Sequence, residues 1–310
     1  MQSTDRTLPS VETVLGPSGH GASAERFARG GATRVRRWVV TSIMAAAAVC
    51  WLLPVVWVLV TSLKPTPDII RLPPEWIPWP ITADHYREVL FSSSRTARIG
   101  RAFLNSTIVS VGSVALVLLT SAMAAYPLAR MRFPGRNVIF AALVGSLMVP
   151  NVVTLVPQYL LVQRLGWLST FQGLIVPEAG LTLAFGVFLL RQFFLSIPTE
   201  LEDAARIDGA NALQIFTRII LPLSYPAIAA LSIFAFRSAW NDFLWPLIAV
   251  NKPDMFPLPV ALAFLRGAYS SESYGPIMAG AALSAVPLFI AFLVANRRIV
   301  EGVQLSGLKG

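Results

Sequence analysis

Four windows of this chain, 38–63, 102–129, 137–163 and 273–296, contain no Asp, Glu, Lys, Arg or His. Each exceeds the roughly 20 residues that an α-helix needs to cross the hydrocarbon layer of a bilayer, where a segment has to satisfy its own backbone hydrogen bonds. Two further windows are nearly as apolar: 165–190 is interrupted only by Glu178, and 219–250 only by Arg237 and Asp242. Six spans follow, and with them an all-helical integral membrane fold. The bulk composition agrees, since 55% of residues are hydrophobic, 13% are charged and mean hydropathy is +0.63. A net charge of +9 in so apolar a chain points to cytoplasmic membrane flanks rather than to nucleic acid. With a single cysteine, Cys50, and only His20 and His85, the chain has neither an internal disulfide nor a Cys/His metal cluster, and no metal site is expected.

Orientation is read from Lys and Arg in the flanks. Arg34, Arg36 and Arg37 precede the first span, Arg130, Arg132 and Arg136 lie between the second and third, Arg191, Arg206 and Arg218 between the fourth and fifth, and Arg297, Arg298 and Lys309 after the sixth. These flanks share one side, so both termini are expected in the cytoplasm. The opposite loops carry Arg164, and Lys252 with Arg266. One external loop departs from the rule: 64–101 holds Lys64, Arg71, Arg87, Arg95, Arg98 and Arg101, offset by Asp68, Glu75, Asp84 and Glu88, and opens on a proline-rich run that reads as ordered. The first span is too long for a signal-peptide core and has no Ala-x-Ala site after it, so it is expected to stay as an anchor. The chain then divides into a disordered cytoplasmic extension over 1–37, a six-span domain over 38–296 and a cytoplasmic tail over 297–310.

The most informative segment, 197–222, joins spans four and five. Thr199 and Glu202 have the spacing of a capping box, and Glu200, Glu202 and Asp203 place negative charge in a first turn, where the helix dipole favours it. Glu202 and Arg206 stand four apart and can pair, Gly209 after Asp208 suits a left-handed helix exit, and Ala204 with Ala205 leaves a small-residue face that could enter a groove on another protein.

Asp203-Ala204-Ala205, then Gly209, Ile219 and Leu221-Pro222, resembles the cytoplasmic signature of permease subunits in binding-protein-dependent ATP-binding-cassette importers, with Asp203 where Glu is usual. Asn105-Ser106-Thr107, the run from Ala124 to Phe133, Met148-Val149-Pro150 with Pro157 and Tyr159, and the run from Trp240 to Pro246 are similar to the carbohydrate, maltose-type branch. The resemblance covers the chain from about Trp38 onward and implies a type I importer permease: a non-catalytic, multi-pass subunit of a bacterial or archaeal cytoplasmic membrane. It implies a heterodimer with a second, homologous permease, two ATPase subunits that hold ATP and Mg, an external sugar-binding protein and a carbohydrate substrate. No cofactor is implied in this subunit. Glu202, Asp203, Ala204, Ala205, Arg206, Asp208, Gly209, Leu221 and Pro222 are then the candidates for contact with the ATPases. The tail, with Gln304 and Lys309, is similar to the ending that enters the ATPase dimer.

Ionisable groups within spans are costly and mark candidate pathways. Trp240, Asn241 and Asp242 combine a flat apolar ring with amide and carboxylate groups suited to a sugar, and Asn151, Gln158 and Tyr159 add polar groups along span three. Pro150 and Pro157, seven apart, are expected to bend that span toward a cavity. No phosphate-binding loop and no His-Glu-x-x-His motif is present, so no covalent chemistry is expected. An ion-coupled carrier using Glu178 and Asp242 is the alternative, disfavoured by the 197–222 loop and by the lack of an internal repeat.

Overall fold

The computed structural model describes residues 21–71, 73, 75–77, 79–91, 99–268 and 274–307, with side chains described between Arg36 and Val294. Among the described residues all regular structure is helical. The long helices are α1 (Gly21–Ser62), α3 (Ile99–Arg130), α6 (Phe171–Ser196) and α13 (Tyr274–Gly307), with the short α2 (Asp84–Phe91) between the first two. Spans three and five are each broken. α4 (Arg136–Ser146) and α5 (Asn151–Arg164) meet at 100°, and the stretch Ala212–Leu223 meets α10 (Tyr225–Asn241) at 75°. Four helices are long and apolar enough to cross a membrane, or six if each bent pair counts as one span.

The break in span three falls at Pro150, which is extended (φ −62°, ψ 131°) and starts α5, while Leu147, Met148 and Val149 close tight turns onto Val144, Gly145 and Ser146. Pro157 lies within α5 without breaking it. The sequence expectation of a bent span is thus met by a sharp break at one proline. Span five also differs from its expected bounds of 219–250. α10 ends at Asn241, and 244–249 is a separate short helix, α11 (Leu244–Ala249), followed by α12 (Leu258–Ala268).

Among the described residues, those up to Val56 form one packed unit and those from Trp57 onward another. In the second unit α3 and α6 make the closest pairing, and the reason is small side chains. Ser106, Ser110, Ser113, Ser121, Ala122 and Ala125 of α3 are all buried. A Cβ on Gly186 of α6 would stand 2.3 Å from Ser121 Oγ, so the helices approach more closely than a larger residue allows. One core cluster includes Val109, Leu174, Trp240, Trp245 and Leu258, and a second includes Val117, Val187, Leu190, Phe194, Ile220 and Leu231. Asn105 donates to the carbonyls of Asp254 and Phe256 (2.9 and 3.1 Å), and Ser106 Oγ accepts from Leu258 N–H (2.7 Å), so this polar pair fixes the loop entering α12. Gly280 of α13 faces Leu262, whose Cδ2 lies 2.5 Å from where a Cβ would stand.

The helical ends run past the expected domain limits: α1 begins at Gly21, inside the stretch expected to be disordered, and α13 continues to Gly307, beyond the expected end of the span at 296. Arg and Ala, five and four of the residues over 21–37, dominate the first segment, and these are favourable helix formers even without an apolar stripe.

A candidate coupling loop and the residues around it

After α6, Ile197-Pro198-Thr199 leads into α7 (Glu200–Ile207), then Asp208, Gly209 and Ala210 lead to α8 (Ala212–Ile215), a π-helical turn at Phe216–Ile220 and α9 (Leu221–Leu223). α7 carries its three acids in the first turn and Arg206 in the last, as the dipole favours. Its capping differs from the sequence expectation. Thr199 has helical dihedrals (φ −71°, ψ −24°) and makes no side-chain cap, and Glu202 does not reach back to it. Glu202 is instead turned inward: its Oε1 lies 2.7 Å from Arg130 Nε in an ion pair that is close but not aligned as a hydrogen bond. Its Oε2 accepts from Arg206 at 3.2 Å, and Arg206 also donates to Asp203 at 2.7 Å. The capping box of this loop belongs to Asn211 and Gln214, whose side chains bond each other's backbone N–H at 2.9 and 2.8 Å and start α8.

α7 therefore buries a carboxylate and exposes apolar side chains. Glu202 is 1% exposed and Ala205 is half-buried against the second core cluster, whereas Leu201, Ala204 and Ile207 are exposed at i, i+3 and i+6, Ile207 at 86%. The two alanines lie on different faces, and only Ala204 belongs to the outward one. Asp208 is exposed, and Gly209 takes φ +83° with nothing near its missing Cβ, so its requirement is backbone conformation alone. Leu221 is half-buried and Pro222 exposed. Pro222 has no N–H to continue the α-helical ladder, and Leu221 N–H bonds Phe216 O, five residues back; the π turn follows from the proline.

The span residues expected along a pathway are not gathered around one cavity. Trp240 is 1% exposed, stacks on Phe236 (5.6 Å between centroids), meets Phe103 edge-on (5.4 Å) and donates Nε1–H to Ser284 O at 3.0 Å. In this subunit it packs in the core, with its ring enclosed and its one donor taken. Asn241 is exposed and donates to Arg237 O at 3.0 Å. Asp242 is half-buried in the break between α10 and α11. On α5, Asn151 is exposed, Tyr159 packs against the first core cluster, and Gln158 lines a groove of about 390 Å³ with Thr154, Pro157, Trp167 and Pro177. Glu178 is buried, with Oε1 left without a partner. Gln304 lies in α13 with its side chain outside the described residues, and Lys309 is outside them altogether.

Residues 117–304 match the family described as binding-protein-dependent transport system inner membrane component. The chain is 35% identical over 287 residues to the diacetylchitobiose uptake system permease protein of Streptomyces coelicolor, covering 90% of this chain and 92% of that protein. It is 33% identical over 285 residues to the trehalose transport system permease protein of Mycobacterium tuberculosis, covering 90% and 100%. Its fold is similar to a chain in the crystal structure of a bacterial transporter that imports the acidic polysaccharide alginate, with a TM-score of 0.73, 25% identity and coverage of 86% and 97%. The helical fold and the loop define an importer permease of type I. The chain belongs to the binding-protein-dependent transport system inner membrane component family and is a multi-pass permease of the inner membrane. That membership displaces the alternative of an ion-coupled carrier.

Proposed function

We propose that this subunit carries carbohydrate across the cytoplasmic membrane as one half of a path shared with a second, homologous permease, and that α7 couples the path to two ATPase subunits. The carbohydrate assignment rests on the relatives, whose names specify diacetylchitobiose, trehalose and arabinooligosaccharides. An external binding protein delivers the sugar. In a likeness of 19% identity that bears on the fold, the alginate transporter is in complex with a pentasaccharide-bound periplasmic protein. ATP and Mg are held by the ATPases; closing of the ATPase dimer moves α7 and turns the path outward to receive substrate. Both termini then lie in the cytoplasm, on the same side as α7.

The observation that carries the coupling role is the inverted amphipathicity of α7, with Glu202 inside and Leu201, Ala204 and Ile207 outside. Covering exposed Leu and Ile side chains stabilises association by roughly 1.5–3 kcal/mol each, which supports a protein groove as the occupant of this face. Ala204→Trp adds bulk at its centre, where no contact within the subunit is disturbed. The expected result is a subunit that inserts and pairs with the second permease but loses sugar-driven ATP hydrolysis and uptake in proteoliposomes. Normal uptake by Ala204→Trp removes the coupling assignment. Ala205→Trp is the less selective test, because Ala205 packs inward.

A further inference from the structure

The second core cluster ends in an arrangement of arginines that the coupling reading does not use. α3 and α6 finish beside each other, so two helix C-termini with their partial negative charges are adjacent. Each is capped by an arginine from the other helix: Arg191 of α6 donates to Leu128 O at 3.0 Å, and Arg130 of α3 donates to Ile197 O. Each guanidinium also has a second engagement. Arg191 lies over the Phe140 ring of α4 at 3.9 Å, and Arg130 meets Glu202 of α7, the two side chains being 8% and 2% exposed. A planar guanidinium can hold a carbonyl and a carboxylate at once, which an ammonium point charge does less well.

The opposite end of the loop is built otherwise. α7 exits through Gly209 at φ +83°, and the chain then passes a π turn and a 75° bend before α10. These are joints that can absorb a change of direction, whereas the start of α7 is held by a buried ion pair. A push on α7 is therefore delivered to α3 and α6 before α10.

We propose that Arg130 and Glu202 form the strut through which displacement of α7 reaches the α3–α6 pair, Arg130 being a positioning residue for transport. This rests on the reading of α7 as the coupling helix. The test uses the whole complex, with both permeases, the ATPases and the binding protein, in proteoliposomes. Arg130→Gln, Arg130→Lys and the charge exchange Arg130→Glu with Glu202→Arg are compared by co-purification of the ATPases and by the ratio of binding-protein-stimulated to basal ATP hydrolysis. A merely structural role leaves that ratio unchanged in complexes that assemble.

Arg130→Gln is expected to co-purify with the ATPases while its stimulation ratio and uptake fall about tenfold, in the range by which residues along a coupling network act. Arg130→Lys should fall between it and the wild type, and the exchange should regain part of the ratio because it restores an opposite-charge pair. A wild-type ratio in Arg130→Gln overturns the strut, as does an exchange no better than Arg130→Gln, or a loss of assembly that the exchange leaves unrepaired. If Ala204→Trp uncouples while Arg130→Gln is normal, α7 remains the coupling helix and the strut alone is removed; if Ala204→Trp transports normally, both fall.

Discussion

Trp240 and Gly209 show how differently single residues declare themselves. Gly209 was legible because a left-handed exit from a capped helix admits few residues, and its φ of +83° follows from local conformation alone. Trp240 was not legible as core, since an indole beside an amide and a carboxylate suits a sugar as well as a packed interior; only its neighbours Phe103, Phe236 and Ser284 decide. Trp240→Ala is expected to destabilise the subunit by about 3–5 kcal/mol through lost burial and a residual cavity. Trp240→Phe keeps the ring stack but leaves Ser284 O without its donor, at about 1 kcal/mol. Thermal-unfolding midpoints of the detergent-solubilised complex should fall in the order wild type, Phe, Ala. An unchanged midpoint in an Ala variant that cannot take up sugar would return the ring to the pathway.

At the scale of elements, the 197–222 loop was recognisable as a helix with charged ends, but its start was misread. The Thr199 and Glu202 pattern has capping-box spacing, yet the Glu202 carboxylate is closer to an arginine brought in by α3, and a buried ion pair outweighs an exposed cap. The box formed by Asn211 and Gln214 has the same spacing and went unread. Asn211→Ala should therefore cost about 1 kcal/mol in α8, whereas Thr199→Ala should be nearly neutral. Hydrogen exchange of the amides at 212–215 is the direct measurement: about fivefold faster for Asn211→Ala and unchanged for Thr199→Ala. Equal effects at both sites would restore the expected cap.

For the whole molecule, two cations of the loop that departs from the positive-inside pattern are engaged within that loop. Lys64 is 2% exposed, lies 4.8 Å over the Trp57 ring and donates to Glu75 O, and Arg71 is within reach of Asp68 and Glu75 (3.8 and 3.6 Å). Charges held within the loop weigh less on orientation than free ones. In a Cys50→Ser background, cysteine at Lys252 is expected to label from outside intact cells with an impermeant reagent, and cysteine at the exposed Leu213 only in inverted vesicles. Labelling at 213 from outside would sink the six-span orientation.

The sequence by itself determined the all-helical membrane class, a count of six spans that the structure meets if each bent pair is one span, the proline break in the third and the place of the 197–222 loop. Those follow from hydrophobic length, from missing N–H groups at proline and from the φ that glycine alone takes freely, all of them properties of a residue and its near neighbours in the chain. The tertiary structure alone decided that Trp240 is core, that Ala204 lies on the outward face of α7 and Ala205 against the core, and that Glu202 answers to Arg130 across 72 positions of sequence. Each of these depends on which helix lies alongside, and the packing of α3 on α6 through small residues carries no signal in the order of residues around Glu202.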